Sequence, residues 1–193
     1  MITVYYGYCV IMNNPNWNNY KNIEDWLDAV IAITLKAKVA LCEDTAGPAD
    51  GMPLLLWQSK EAYHVVPLPD STENEPLSQI MFDILRRVWV ELGTPKYGAV
   101  VCEAYAKTYH EEEGIPKNIE RGDIQKSYPT DLSIKECITI ISFDIDGEIR
   151  SGVVPYKYDD AGQPRFEDTE FCGIVGGAMY DSTRNFLDFV NAK

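Results

Sequence analysis

The 193-residue chain holds 30 acidic against 17 basic residues, a formal net charge of −13, with 46% apolar and 24% charged residues. That balance supports one substantial core over residues 1–193 and excludes wholesale disorder. It also argues against direct nucleic-acid binding and against an anionic membrane surface as partner, because both attract cations.

The N-terminal run Met1–Met12 is apolar but has neither a basic start nor a small-residue cleavage site, so it reads as a short strand rather than a signal peptide. No run approaches the length of a membrane span, and a cytoplasmic location is expected. The five cysteines are scattered and form no C-x-x-C pair, the pattern of reduced thiols.

After an Asn-rich loop (13–22), Asn22 caps a helix with Glu24 and Asp25 in its first turn. Its apolar stripe runs through Ile23, Trp26, Leu27, Val30, Ile33, Thr34, Ala37 and Leu41 to a stop at Gly47-Pro48. Pro53–Trp57 and Ala62–Val66 read as strands of a hairpin joined by Ser59-Lys60-Glu61. A second helix opens at Pro76, buries Leu77, Ile80, Met81, Ile84, Leu85, Val88 and Leu92, and closes at Gly93 and Pro95. Arg86 and Arg87 in its later half suit the helix dipole.

Gly98–Ala106 is a further strand, followed by an aperiodic stretch at 107–133 that reads as a long loop. Glu136–Ile145 and Glu148–Tyr158 form a hairpin about Asp146-Gly147, read as a type I′ turn. That turn sets Ile140 opposite Val153 and Ile141 opposite Gly152, and both strands are apolar on both faces. Helix 76–92 is expected to cover Ile141, Phe143 and Val154. Asp159–Glu170 reads as an acidic loop, and the Gly-rich turn Gly173–Gly177 leads to a last helix near Ser182–Ala192 with Phe186, Phe189 and Val190 inside.

The expected fold is α+β: a roughly five-stranded antiparallel sheet with packed helices, in the order α-β-β-α-β-β-β-α after the N-terminal strand. This order resembles that of roadblock and longin domains, a likeness of fold alone that implies a scaffold and interaction module. Ala99–Tyr105, the long loop and the Asp-Gly hairpin together resemble uncharacterised bacterial and phage proteins, a likeness that brings no function.

Catalytic signals are sparse. Asp144–Glu148 is not a calcium loop, since Ser142 and Val153 stand where an EF-hand needs its terminal carboxylates. Gly173–Gly177 lacks the Lys-Ser/Thr ending of a phosphate loop. Of the two histidines, His64 lies in an apolar strand and His110 opens an acidic run. A Cys102–His64 nucleophile pair requires their strands to be neighbours. No catalytic residue, metal ligand or cofactor is assigned.

The leading expectation is a non-enzymatic acidic module that binds another protein, one with a basic surface, and is encoded by a phage or other mobile element. Its contact residues are placed on loops: Trp17 and Tyr20; Glu111, Glu112 and Glu113; Asp159, Asp160, Phe166, Glu167 and Asp168. One alternative is an acidic DNA mimic that inhibits a nucleic-acid-binding protein. The other is a metal-dependent hydrolase in which Glu103 joins Glu136 or Asp144 about a divalent ion. Glu136 and Asp144 alone cannot share one, being roughly 27 Å apart at strand rise.

Overall fold

The computed structural model describes residues 2–5, 9–12, 20–51, 53–59, 62–69, 77–107, 134–172 and 178–192. Its elements are β1 (Ile2–Tyr5), β2 (Cys9–Met12), α1 (Ile23–Thr45), β3 (Leu54–Gln58), β4 (Tyr63–Pro67) and α2 (Leu77–Leu92). Then follow β5 (Tyr97–Lys107), β6 (Ile134–Asp144), β7 (Ile149–Tyr158), β8 (Pro164–Phe166), β9 (Glu170–Cys172) and α3 (Ala178–Asn191). The fold is α+β, built on one antiparallel sheet in the order β1-β2-β4-β3-β5-β6-β7-β8, with β9 also on β7.

Among the described residues the sheet has nine strands, more than expected. The N-terminal run supplies two of them, and β2 pairs with β4. The acidic stretch 159–170 is only partly a loop. Asp159 folds the chain back so that Tyr156–Tyr158 pair with Pro164–Phe166 as β8, and β9 then pairs with Ser151–Val153. These strands are three residues each, too short to show as an alternating pattern.

Helix α1 starts where its cap predicts. The Asn22 side chain accepts the Asp25 N–H at 2.8 Å, and Asp25 accepts the Lys21 N–H at 3.1 Å, so donors without helical partners are satisfied. Its end differs from expectation. Ala46, not Gly47, takes the left-handed conformation at φ +55°. Its buried stripe also drifts from the expected one, running Ile23, Trp26, Leu27, Val30 and Ile31 and then Lys38 and Cys42.

The β6–β7 turn is a correction too. Gly147 alone has positive φ (+97°), whereas a type I′ turn needs two such residues. Asp144 N–H donates to Glu148 O at 3.1 Å and Gly147 N–H to Asp144 O at 3.3 Å, which makes a three-residue loop. The Asp144 carboxylate accepts the Glu148 N–H at 2.8 Å and locks it. The register therefore sits one residue from the expected one, with Ile140 opposite Gly152 and Ile141 opposite Ser151.

Both faces of the sheet are covered. On one, α1 packs with Leu56, Tyr63, Tyr97, Ala99, Val101, Ile138, Ile140, Val154 and Tyr156. On the other, Met81, Leu85 and Val88 of α2 and Phe186 and Leu187 of α3 pack with Leu55, Trp57, Val100 and Phe143. Helix α2 thus meets Phe143 as expected, but Val154 belongs to α1. Strand parity is the reason, since Val154 pairs with Ile138 on the α1 side. Ile84, expected on the buried face of α2, lies at its edge, while Met81 and Leu85 are wholly enclosed. Each such large side chain contributes roughly 1.5–3 kcal/mol of burial.

Candidate functional site

The most polar interior position is one that an apolar stripe would conceal. Lys38 falls in phase with the buried face of α1, four residues before Cys42, and its side chain is 2% exposed. An ammonium group there needs an anion and acceptors. The sheet beneath supplies them: Glu103 lies on the α1 side of β5, and Tyr156 and Tyr158 on the same side of β7.

The contacts form a closed circuit. Lys38 Nζ donates to Glu103 Oε2 at 2.7 Å and to the Ala49 carbonyl at 2.5 Å. Tyr156 OH donates to Glu103 Oε2 at 2.8 Å, and the Gly51 N–H to Glu103 Oε1 at 2.7 Å. Tyr158 OH donates to Ala49 O at 3.3 Å. The ammonium also lies 4.8 Å and 5.4 Å from the ring centroids of Tyr156 and Tyr158, within cation–π range. Together they fasten the α1–β3 connection, through Ala49 and Gly51, onto the end of the sheet. A Cβ at Gly51 would lie 2.7 Å from Glu103 Oε1, so a larger residue there would displace the carboxylate.

The protonation states follow from the same contacts. Burial alone lowers the Lys38 pKa, but the hydrogen bonds and charges of Glu103 and Tyr158 outweigh it and raise the net value. Burial and the hydrogen bond to Glu103 raise the Tyr156 pKa far above the phenol range. Lys38 is therefore a cation and Tyr156 a neutral donor at neutral pH. Glu136, half-buried opposite Tyr105, is raised by burial first and next by the nearby Asp50 carboxylate.

This geometry bears on each candidate set. Glu103 has both carboxylate oxygens engaged, which leaves it poorly placed to bind an ion. Asp144 pairs with Tyr97, six residues from Glu103 along β5 or roughly 20 Å, beyond any shared ion. Glu136 does share the Glu103 face, two residue pairs along the β5–β6 ladder. No group of three or more His, Cys, Asp or Glu side chains that could hold a metal ion occurs among the described residues. Cys102 and His64 are not neighbours: His64 aligns through Trp57 with Gly98, four residues from Cys102 and two strands away. That separation is roughly 16 Å. The Cys102 thiol faces Met179, and burial pushes its pKa up to about 12. Burial likewise lowers the His64 pKa.

The expected contact residues divide. Trp17, Glu111, Glu112 and Glu113, like His110, Pro76, Gly173–Gly177 and nearly all of 107–133, lie outside the described residues. Tyr20 packs edge-on against Trp26 at 5.3 Å, at the margin of the core. Phe166 packs on Tyr156 at 6.2 Å. Asp159 accepts the Ala161 and Gln163 N–H groups, each at 2.9 Å, and pairs with Arg165 at 2.7 Å, so it shapes the β7–β8 turn. The backbone hydrogen bond from Gln163 leads the lowering of its pKa. Glu167 is held by Lys135 at 2.5 Å and Lys157 at 3.6 Å. Asp160 and Asp168 are exposed.

The chain matches no family model, no curated protein and no solved structure. No described helix is long and apolar enough to cross a membrane.

Proposed function

We propose that this chain is a non-enzymatic acidic module that acts by binding another protein. The observation that carries the reading is the closed Lys38–Glu103–Tyr156 circuit. The most deeply placed charges of the described structure hold a loop onto a sheet, with the Lys38 ammonium and both carboxylate oxygens of Glu103 engaged in hydrogen bonds. Catalytic groups need a proton, lone pair or coordination position left open to substrate. A module of this kind uses its interior for rigidity and its surface for recognition. The hydrolase alternative is weakened because both Glu103 oxygens are engaged by Lys38, Tyr156 and Gly51. The mimic alternative is weakened where Asp159 and Glu167 pair with cations of the same chain.

The test is affinity capture from a source lysate with chemical crosslinking and mass spectrometry, run beside a phosphoester hydrolase screen. A saturable partner crosslinked at defined residues supports the reading. No specific partner, together with metal-dependent turnover abolished by Glu103→Gln, would overturn it.

A further inference from the structure

Two thiols and one thioether converge on the sheet face beneath the start of α3. Val100 of β5 faces α2 and α3, and Cys102, two residues on, follows it on the same side. Cys102 pairs with Thr139 and Ala104 with Cys137, so Cys102 and Cys137 are diagonal neighbours on one face. Such diagonals lie roughly 7–8 Å apart at Cα and closer at the side chains. The Cys137 thiol leans from β6 towards β5, donating to Ala104 O at 3.3 Å, and lies 3.6 Å from Thr139 Oγ1. From above, Met179 in the first turn of α3 brings its Sδ to 3.9 Å from Cys102 Sγ, 77 residues away in the chain. Thr183 Oγ1 donates to Met179 O at 2.9 Å and fixes that turn.

A leucine or a valine would fill this space equally well. What sulfur adds is affinity for a soft metal. Metal–sulfur bonds of about 2.3 Å set two sulfurs of one three-coordinate centre about 4 Å apart. Cys102 and Met179 already stand at that separation. Thiolate and thioether together select copper(I). Zinc instead completes four ligands from thiolate, imidazole and carboxylate, and no third such group joins the two thiols among the described residues.

We propose that Cys102, Cys137 and Met179 form a three-coordinate copper(I) site of two thiolates and one thioether. The inference is independent of the protein-binding reading. Binding forms three copper–sulfur bonds and releases the two thiol protons to solvent, with no change of oxidation state. Cys137 gives up its hydrogen bond to Ala104 in the process. The centre carries one negative charge, which the N-terminal end of α3 offsets. Without metal the Cys102 thiol is protonated, since burial first, and then the nearness of Cys137, push its pKa up to about 12. A soft cation displaces that proton directly, whereas an alkylating reagent needs a thiolate already formed. Cys137 is wholly buried, but Cys102, Thr139 and Met179 are half-buried, so the site reaches the surface of the described structure. The chain's negative field draws a cation towards it.

The probe is copper(I), supplied without oxygen as its acetonitrile complex and titrated against bicinchoninate. One equivalent should be held per chain, more tightly than zinc(II). Cys102→Ala and Cys137→Ala should each weaken binding about a hundredfold or more, since groups that merely orient a ligand are already worth about 10–100-fold. Met179→Leu keeps the side-chain volume and should weaken binding about tenfold, the thioether being the weaker ligand. Cys9→Ala, Cys42→Ala and Cys172→Ala should leave it unchanged. Should a cysteine variant melt below the parent, the unmutated chain decides. With methionine labelled by carbon-13 at the methyl group, the Met179 resonance, assigned by its absence from Met179→Leu, should shift with added copper up to one equivalent. No saturable uptake, uptake shared among all five cysteines, unchanged affinity in Cys102→Ala or Cys137→Ala, or an unmoved Met179 methyl would overturn the inference. Tighter binding of zinc would also overturn it, by assigning the thiols to a four-ligand site.

Discussion

Replacing Glu103 by glutamine removes the only carboxylate bonded to Lys38 among the described residues and keeps the shape of the side chain. The Lys38 side chain is 2% exposed and cannot turn to water, so its charge is left buried with the Ala49 carbonyl and two aromatic faces. Breaking a buried pair by removing one partner costs about 3–5 kcal/mol. The remaining contacts, and the 19% exposure of Glu103, move the expected loss to about 2–4 kcal/mol. For a chain of this length that is a fall of roughly 5–15 °C in melting temperature. Lys38→Met should cost less, about 1–3 kcal/mol, because Glu103 keeps its Gly51 and Tyr156 donors and partial access to water. The double variant should recover much of the Glu103→Gln loss, with a coupling of at least about 1.5 kcal/mol in a double-mutant cycle. The pH dependence has a definite sign. The raised Lys38 pKa contributes stability that is complete below the unfolded lysine value of about 10.4 and is lost as pH rises through the higher folded value. The difference between parent and Lys38→Met should therefore be flat over about pH 6–9 and shrink only above about pH 10.4. Thermal and urea melts monitored by circular dichroism measure all four proteins. Additive single effects, or a Glu103→Gln loss within about 0.5 kcal/mol of zero, would refute the closed circuit.

Other sites give sharper local tests. Gly98→Ala places a Cβ 2.1 Å from the Phe143 ring, on the strand whose Gly98 carbonyl accepts the Trp26 indole, so a loss of about 2–3 kcal/mol is expected in urea melts, with partial rescue by Phe143→Leu. Ser142→Ala removes a fully buried hydroxyl that has no hydrogen-bond partner among the described residues, and should be neutral or stabilising by up to about 1 kcal/mol; a clear loss would mean that the hydroxyl is satisfied. Ala46→Gly relieves a left-handed alanine at φ +55° and should raise the melting temperature by a degree or more, corresponding to about 0.5–1 kcal/mol. Cys42 and Cys137 are buried, and burial raises the Cys102 pKa to about 12, so iodoacetamide at pH 8 followed by peptide mass spectrometry should label these three only after unfolding.

What could be read from the chain alone is what depends on local chemistry. Asn22 with Asp25 marks the start of α1 through a cap that needs no tertiary partner, and the apolar stripe around Met81, Leu85 and Val88 marks α2. The central strands and their antiparallel order follow from β-branched runs and short turns, so the α+β class is legible. Register was not. A type I′ turn and a three-residue loop with one left-handed glycine share the Asp-Gly signature, and only the packing of Val154 with Ile138 beneath α1 decides between them. Strands β8 and β9 escaped for a related reason: each is fixed by pairing with β7 rather than by its own sequence. Lys38 was concealed because a lysine in phase with an apolar stripe ordinarily snorkels to water. Its burial becomes tolerable only when Glu103, 65 residues away, and Tyr156 and Tyr158 converge beneath it. The sequence by itself determined the helices, the central strands and the acidic net charge, because those follow from near neighbours and composition. The tertiary structure alone decided which charges are locked inside, as Lys38 and Glu103 are, and which, like Arg86 and Arg87, stay exposed, because a charge's environment is set by residues distant along the chain.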